Sequence, residues 1–556
     1  MLKGFVPWPK AYANIYKKKG YWQDLTIGEA VETWCKNFAE SPAIAFKGKE
    51  ITYRQMDEYS TRIAYQMSVL GIRTYDRIVM QLFNVPELVY LFYACMKIGA
   101  IPICTLPTHR WAEISYLAKQ SEARAHAIPA GTVKDFDFEE FACKVRREIS
   151  GMKIALTVGK PARPGTNSIN DLMEKEIDLE KARIKLKKYR PDPMEPALFQ
   201  LSGGTTGVPK IIPRTHNDYH YNAKCVADAL DYNMNTRSLI GAPLMHNAPL
   251  INALLPVHSR GGTIVLNASL APESLLKATS ENRANILTVP PVLIHRLMDL
   301  PTEVLSKYDI SSLRRFIGSW NPDDLVIIPE FMKRFHCDGV QTYGMAEGLI
   351  CWSRWSDPAN IRHGTDGRPV SEADEVMIVN PQTHIPVAAG QIGECWCRGP
   401  YTLRGYYKAP ERNKEAFTPD GYYRTGDLVT MDTDRNITWR GRIKDCIDRG
   451  GEKINSEEVE NYILKFKSVD SVAVVGMPDR EFGERVCAFV VPKEGAIFSL
   501  QELQDFLIKE MNIARFKVPE RLEFIDELPI TKIGKYEKKS LREKITAVLK
   551  SEGKIS

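Results

Sequence analysis

The sequence predicts an α/β protein: a large N-terminal domain of two α/β subdomains plus a small β-rich subdomain, followed by a small α/β C-terminal domain. Three observations lead there. Between about 190 and 370, short apolar runs rich in β-branched residues alternate with helical patterns, as in a mostly parallel layer. Between 371 and 440 short strands and turns dominate. After a charged, glycine-bearing stretch from Lys444 to Gly451, strand and helix patterns resume. At 556 residues the chain has room for roughly three or four units. The expected division is 1–443 and 444–556.

Taken in order, Ile27 to Phe38 carries a helical apolar period, and Ile51-Thr52-Tyr53 ends a strand. The longest apolar stretch, Leu88 to Leu106, is interrupted by Lys97, Gly99 and Pro102. It predicts a buried helix from Leu88 to Ile98 feeding a short strand, not a membrane span. Pro196 to Gln200 and Ile211 to Pro213 are strands flanking a loop. Leu239 to Pro243, Thr263 to Leu266 and Ile286 to Val289 are buried strands. The β-rich part holds Glu375 to Val379, Gly393 to Cys397 and Gly421 to Tyr423. Lys444 to Gly451 reads as a linker. Beyond it come a helix at Glu457 to Lys465, strands at Val472 to Val475 and Val486 to Val491, and a helix at Leu500 to Met511.

Hydrophobic residues at 44% and charged residues at 26% place the chain among soluble globular proteins. A net charge of +6 on this length is too mild to argue for nucleic acid, and no basic run interleaved with aromatics suggests an RNA groove. The N-terminus lacks an apolar signal core. The eleven cysteines include no C-x-x-C, which fits reduced thiols and a cytoplasmic protein.

Between the strands at 196 and 211 lies Ser202-Gly203-Gly204-Thr205-Thr206-Gly207-Val208-Pro209-Lys210. Glycines let backbone N–H groups turn toward an anion, hydroxyls add donors, and the lysine adds a point charge. This is the chemistry of a phosphate cradle. It is not a Walker A loop, since Val208 and Pro209 separate the last glycine from Lys210. An ordinary Gly/Ser/Thr hairpin loop is the bland alternative.

Four further segments settle that choice. Thr342-Tyr343-Gly344-Met345-Ala346-Glu347, Tyr423-Arg424-Thr425-Gly426-Asp427, Gly441-Arg442-Ile443-Lys444-Asp445 and Pro529-Ile530-Thr531-Lys532-Ile533-Gly534-Lys535 follow the loop in order. Together they resemble the motifs of the adenylate-forming superfamily of acyl-CoA synthetases, adenylation domains and luciferases. Within it the chain is most similar to stand-alone aryl-acid–AMP ligases of the 2,3-dihydroxybenzoate type. Gln200 to Lys210, Pro213 to Tyr219, His246-Asn247 and Gly344 to Gly348 carry that likeness.

The resemblance implies ATP and Mg²⁺ as cofactors. A carboxylate must attack the α-phosphorus of ATP although both are anionic, so charge must be screened. Ser202, Gly203, Gly204, Thr205, Thr206, Gly207 and Lys210 would hold the phosphates, and Glu347 the metal ion. Tyr343, Gly344 and Met345 would line the nucleotide. Asp427 would take the ribose hydroxyls with help from Arg442. Lys535 would bridge the carboxylate and the α-phosphate, with Thr205, His246 and Glu347 assisting the chemistry. The resemblance also makes the C-terminal domain mobile about Lys444. After adenylation it would withdraw Lys535 and bring Gly450 and Gly451 toward a tunnel for the pantetheine thiol, although that pair also fits a plain turn.

The acid pocket departs from the dihydroxybenzoate pattern. His246 would gate it and Asn247 would bond an aryl 2-hydroxyl. Asn252 stands where a serine or cysteine is usual, and Gly318-Ser319-Trp320 replaces Gly-Gly-Ala. The indole of Trp320 either narrows the pocket or points away. The expected substrate is a compact ring acid, benzoate-like or alicyclic such as a cyclohexene carboxylate. The main expectation is an AMP-forming acid–CoA ligase. The alternative is a stand-alone enzyme that loads a separate carrier protein's phosphopantetheine for siderophore synthesis.

Overall fold

In the computed structural model the helix Pro86–Ile98 is buried at every residue but Glu87, so it is apolar on all faces. Its one cation is accounted for. The Lys97 ammonium pairs with Asp57 and donates to Thr61 Oγ1 at 2.8 Å, and Arg183 reaches Asp57 at 2.7 Å. Burial pushes the Asp57 carboxyl up, but the two cations hold it below its ordinary value. The structure describes residues 1–202, 209–289, 291–318, 327–449, 452–479, 482–511, 513, 515–530 and 536–554.

The chain divides into two units. One takes in residues up to Glu375 together with Cys397–Tyr423; the other takes in Val376–Trp396 and Arg424 onward. The first unit contains two large sheets. A nine-stranded sheet runs in the order Arg368–Pro369, Ile350–Trp352, Asp338–Gly344, Arg315–Gly318, Ile286–Thr288, Arg237–Ile240, Thr263–Val265, Pro42–Phe46, Lys49–Thr52. A seven-stranded sheet runs Ile211–Thr215, Pro196–Leu201, Ile101–Cys104, Arg77–Met80, Ala125–Pro129, Ile154–Val158, Asn167–Ser168.

These are the two expected α/β subdomains, but they are not successive in sequence. The early strand Pro42–Phe46 lies parallel to Thr263–Val265, with Ile44 opposite Ile264. The later strand Pro196–Leu201 joins the first half of the chain, with Phe199 opposite Ile103. Each exchange buries an apolar strand between neighbours that local patterning does not specify. The helix expected at Ile27 to Phe38 is Ile27–Asn37, started by a reciprocal cap between Thr26 and Glu29.

In the second unit, a four-stranded sheet orders Glu375–Val379, Gly393–Arg398, Tyr423–Met431 and Ile437–Arg442. A further sheet holds the C-terminal strands, including the hairpin Val469–Asp479 with Gly483–Pro492. The reading of Lys444 to Gly451 as a linker is corrected here. Cys446–Arg449 is a strand, paired antiparallel with Glu452–Asn455. Ile447 and Ile454 face each other and are fully enclosed, so two isoleucines among charges suffice to anchor it. Among the described residues, no helix is long and apolar enough to cross a membrane.

Candidate active site

The phosphate-cradle sequence is closed at its base by the antiparallel pair that flanks it. Leu201 lies opposite Ile211. The Ser202 amide donates to the Lys210 carbonyl at 3.0 Å, and the Lys210 amide donates to Ser202 Oγ at 3.0 Å. Gly203, Gly204, Thr205, Thr206 and Gly207 lie outside the described residues. The Lys210 ammonium sits 5.0 Å from the ring centre of Tyr406. That ring's hydroxyl donates to Glu347 Oε1 at 2.8 Å and lies 2.9 Å from the Tyr423 hydroxyl. Residues from three separate motifs therefore meet at one tyrosine. Burial and the neighbouring Glu347 push the Tyr406 phenol up, so it stays protonated and remains a donor.

Glu347 is carried by a tight hairpin. Tyr343, itself buried, pairs across to Cys351, and Gly344 to Ile350. The turn closes through the Met345 amide on the Leu349 carbonyl at 3.1 Å. Gly348 has φ of 156°, and a Cβ there would fall 2.4 Å from Thr402 Cα, so only glycine fits. The Glu347 carbonyl accepts from the Leu403 amide at 2.8 Å. Arg214, fully buried, donates to the Ala346 carbonyl at 2.9 Å and the Tyr401 carbonyl at 3.1 Å, while its Nε bonds Asp218 at 2.9 Å. Arg214 and Tyr406 thus hold the metal-binding candidate in place. Sequence reasoning gave neither a role. The available signal was an arginine inside an apolar strand with aspartate four residues on.

Glu347 fits a magnesium ligand. The residue is 9% exposed, Oε1 is engaged by Tyr406, and Oε2 has no partner among the described residues. Among the described residues, no group of three or more His, Cys, Asp or Glu side chains is placed to hold a metal ion. One carboxylate supplemented by phosphate oxygens and water is the usual Mg²⁺ arrangement.

The acid-pocket candidates lie on the segment after Arg237–Ile240. Asn84 clamps its start, donating to the Ala242 carbonyl at 2.8 Å and accepting from the Leu244 amide at 2.7 Å. His246 is exposed and precedes the helical turn Asn247–Pro249. Asn247 is buried, with Oδ1 accepting from the Tyr219 hydroxyl at 3.3 Å. Asn252 is also buried, in the turn that follows. Gly318 is enclosed at the end of Arg315–Gly318. Trp320 lies outside the described residues.

In the second unit Asp427 and Arg442 face each other directly across two strands, with Nε 2.9 Å from Oδ1. Asp427 is 5% exposed, and Thr425 Oγ1 accepts from its amide at 3.0 Å. The preceding Gly426, at φ of 71°, donates its amide to Glu394 Oε1 at 3.1 Å. Lys444 lies in the single turn Ile443–Asp445. Gly450, Gly451 and Lys535 lie outside the described residues.

Comparison with known proteins fits this geometry. The AMP-binding enzyme family model matches residues 31–407, and the AMP-binding enzyme C-terminal domain model matches 458–535. The chain is 36% identical to 2,3-dihydroxybenzoate-AMP ligase of Bacillus subtilis (strain 168), covering 99% of each chain. It is 36% identical to a salicylyl-CoA synthase / salicylate adenylyltransferase of a Streptomyces species, covering 97% of each. The apo structure of Mycobacterium smegmatis MbtA superposes with a TM-score of 0.71 at 32% identity, covering 97% of this chain and 98% of that one. The protein belongs to the AMP-binding enzyme family and is an AMP-forming acid ligase, close to the aryl-acid–AMP ligases.

Proposed function

We propose that this enzyme activates a compact ring-bearing carboxylic acid as its acyl-adenylate and passes the acyl group to the phosphopantetheine thiol of a separate carrier protein. The meeting of Lys210, Tyr406 and Glu347 carries the reading. It puts a cation from the end of the phosphate-loop sequence and a metal-competent carboxylate beside the same ring. In the first step a carboxylate oxygen bonds the α-phosphorus of ATP as the bond to pyrophosphate breaks. Lys210 and the loop residues Ser202 to Gly207 hold the β- and γ-phosphates, and Tyr406 fixes the Glu347 carboxylate in one orientation. Glu347 would hold Mg²⁺, which when bound would supply charge screening for the triphosphate. Tyr343, Gly344 and Met345 line the nucleotide, and Asp427 with Arg442 takes the ribose hydroxyls. Lys535 spans the two anions. His246 stands at the pocket entrance and Asn247 inside it, with Gly318 beside the ring.

In the second step the thiol sulfur attacks the acyl carbon, its proton is lost, and AMP leaves. The division of labour falls at Lys444: the segment from 444 onward turns, withdraws Lys535, and brings Gly450 and Gly451 toward the thiol. ATP supply places this work in the cytoplasm. The relatives named for aryl-acid adenylation favour a carrier thiol over the CoA initially expected. CoA is the second reading, supported by the relative whose name joins salicylyl-CoA synthesis to salicylate adenylation.

Supplying the activated acid with either CoA or a phosphopantetheinylated aryl carrier domain separates the two. Acylation of the carrier domain at least ~10-fold faster than CoA thioester formation is expected, since a docked carrier raises the local thiol concentration. Equal or faster CoA acylation would assign the free thiol as acceptor.

A further inference from the structure

Gly450 and Gly451 have no side chains with which to hold their own backbone. What orients them must lie on the residues that flank them. Arg449 stands directly before the pair and Glu452 directly after it, and the two face each other across the antiparallel strands.

The Arg449 side chain is held from two directions. Its Nε donates to Glu520 Oε2 at 3.1 Å and its Nη2 to Oε1 at 2.9 Å, a forked bond that fixes both plane and direction. Its guanidinium carbon lies 4.1 Å from the ring centre of Phe482. Arg485 lies 4.8 Å from the same ring centre, donates to Glu520 Oε1 at 3.2 Å, and places its Nε 2.7 Å from Asp479 Oδ2. One aromatic ring thus serves two guanidiniums, and one carboxylate bonds both. The ring attracts each cation, while the cations repel each other; Glu520 is the shared anion that offsets the repulsion.

The partners are themselves pinned. Gly483 lies opposite Arg449 on one side and opposite Asp479 on the other. The Phe482 amide donates to Asp479 Oδ1 at 2.8 Å, and the Glu520 amide donates to the Val486 carbonyl at 2.9 Å. Three separate stretches of the C-terminal segment therefore converge on the arginine that precedes the glycines. Ion pairs as exposed as these add little to stability. What the forked bond and the ring supply is direction.

We infer that Glu520 is a positioning residue for thioester formation. Acting through Arg449, and assisted by Phe482 and Arg485, it sets the angle at which the Gly450–Gly451 segment meets the incoming thiol. Adenylation makes no use of that segment and does not depend on Glu520. The inference rests on the proposed role of Gly450 and Gly451 in the second step.

The test compares the intact wild-type enzyme with Glu520→Gln, Glu520→Asp and Phe482→Leu. Adenylation is read as ATP–pyrophosphate exchange with salicylate and with benzoate. Thioester formation is read in a single turnover from supplied salicyl-adenylate, to CoA and to a phosphopantetheinylated aryl carrier domain. Hydrogen exchange across residues 446–455 follows the hairpin without reference to activity. Glu520→Gln keeps the size of the side chain but removes its charge and one acceptor oxygen. It is expected to leave pyrophosphate exchange within about twofold of wild type and to slow thioester formation at least ~10-fold, because a small misplacement near a reacting group costs rate steeply. Amides within 446–455 are expected to exchange roughly 10-fold faster. Phe482→Leu should produce the same split at about threefold, and it carries the test if Glu520→Gln does not fold. Glu520→Asp, which restores the charge, should recover part of the thioester rate. An equal fall in both half-reactions, or unchanged thioester formation in variants that melt near wild type, overturns the inference and leaves the proposed function standing. A wild type that exchanges with a ring acid but acylates neither thiol overturns the proposed second step and the inference with it.

Discussion

Replacing Lys535 by alanine is expected to lower ATP–pyrophosphate exchange by at least ~10²-fold, the scale seen when one preorganised charge-stabilising group is removed. Thioester formation from supplied acyl-adenylate is expected to stay near the wild-type rate. The reasoning is electrostatic. Two anions must approach, and their repulsion at contact distance is worth several kcal/mol at the edge of a protein. A compact ammonium between them is the economical answer. The second half-reaction has no such need, because a neutral thioester replaces a mixed anhydride. Equal loss of both half-reactions in Lys535→Ala would contradict the proposal that the segment beyond Lys444 serves the two steps in two positions.

Glu347→Gln is expected to reduce adenylation by roughly 10²- to 10³-fold and to raise the Mg²⁺ concentration needed for half-maximal rate. Glutamine keeps an oxygen for the Tyr406 hydroxyl, which donates to Oε1 at 2.8 Å in the wild type. The hairpin, tied down by Arg214 on the Ala346 carbonyl and by Leu403 on the Glu347 carbonyl, is retained. The loss is therefore one of charge, not of fold, and the melting temperature should move by only a few degrees. A magnesium titration of the exchange rate, run beside a thermal melt, checks both parts. An unchanged magnesium dependence would remove Glu347 from the metal site.

Much of the fold was legible because local pattern and local structure agree. The all-round apolar run at Leu88 to Ile98 could only be a buried helix, and it is one. The strands on either side of the phosphate-cradle loop were equally clear, since β-branched and aromatic residues bracket the glycines. What escaped was set by distant partners. Nothing near Pro42 announces that it will lie beside Thr263, and nothing near Phe199 points to Ile103. The strand Cys446–Arg449 was hidden for a similar reason: Ile447 is its one buried isoleucine, enclosed opposite Ile454, in an otherwise charged stretch.

The site divides along the same line. Glu347 stood out in the sequence as a motif carboxylate. The side chains that hold it did not, because Arg214 and Tyr406 act through contacts 132 and 59 residues away. Asn252 was visible as a departure from the family pattern, but its hydrogen-bond partner Trp352 lies 100 residues on.

The most direct measurement is ATP–pyrophosphate exchange by the purified enzyme with a panel of ring acids, the nucleotide product being identified in the same samples. Acid-dependent exchange, with AMP and not ADP as the product once a thiol acceptor is added, is the expected result. ADP formation, or exchange that ignores the acid supplied, would contradict the proposed acyl-adenylate.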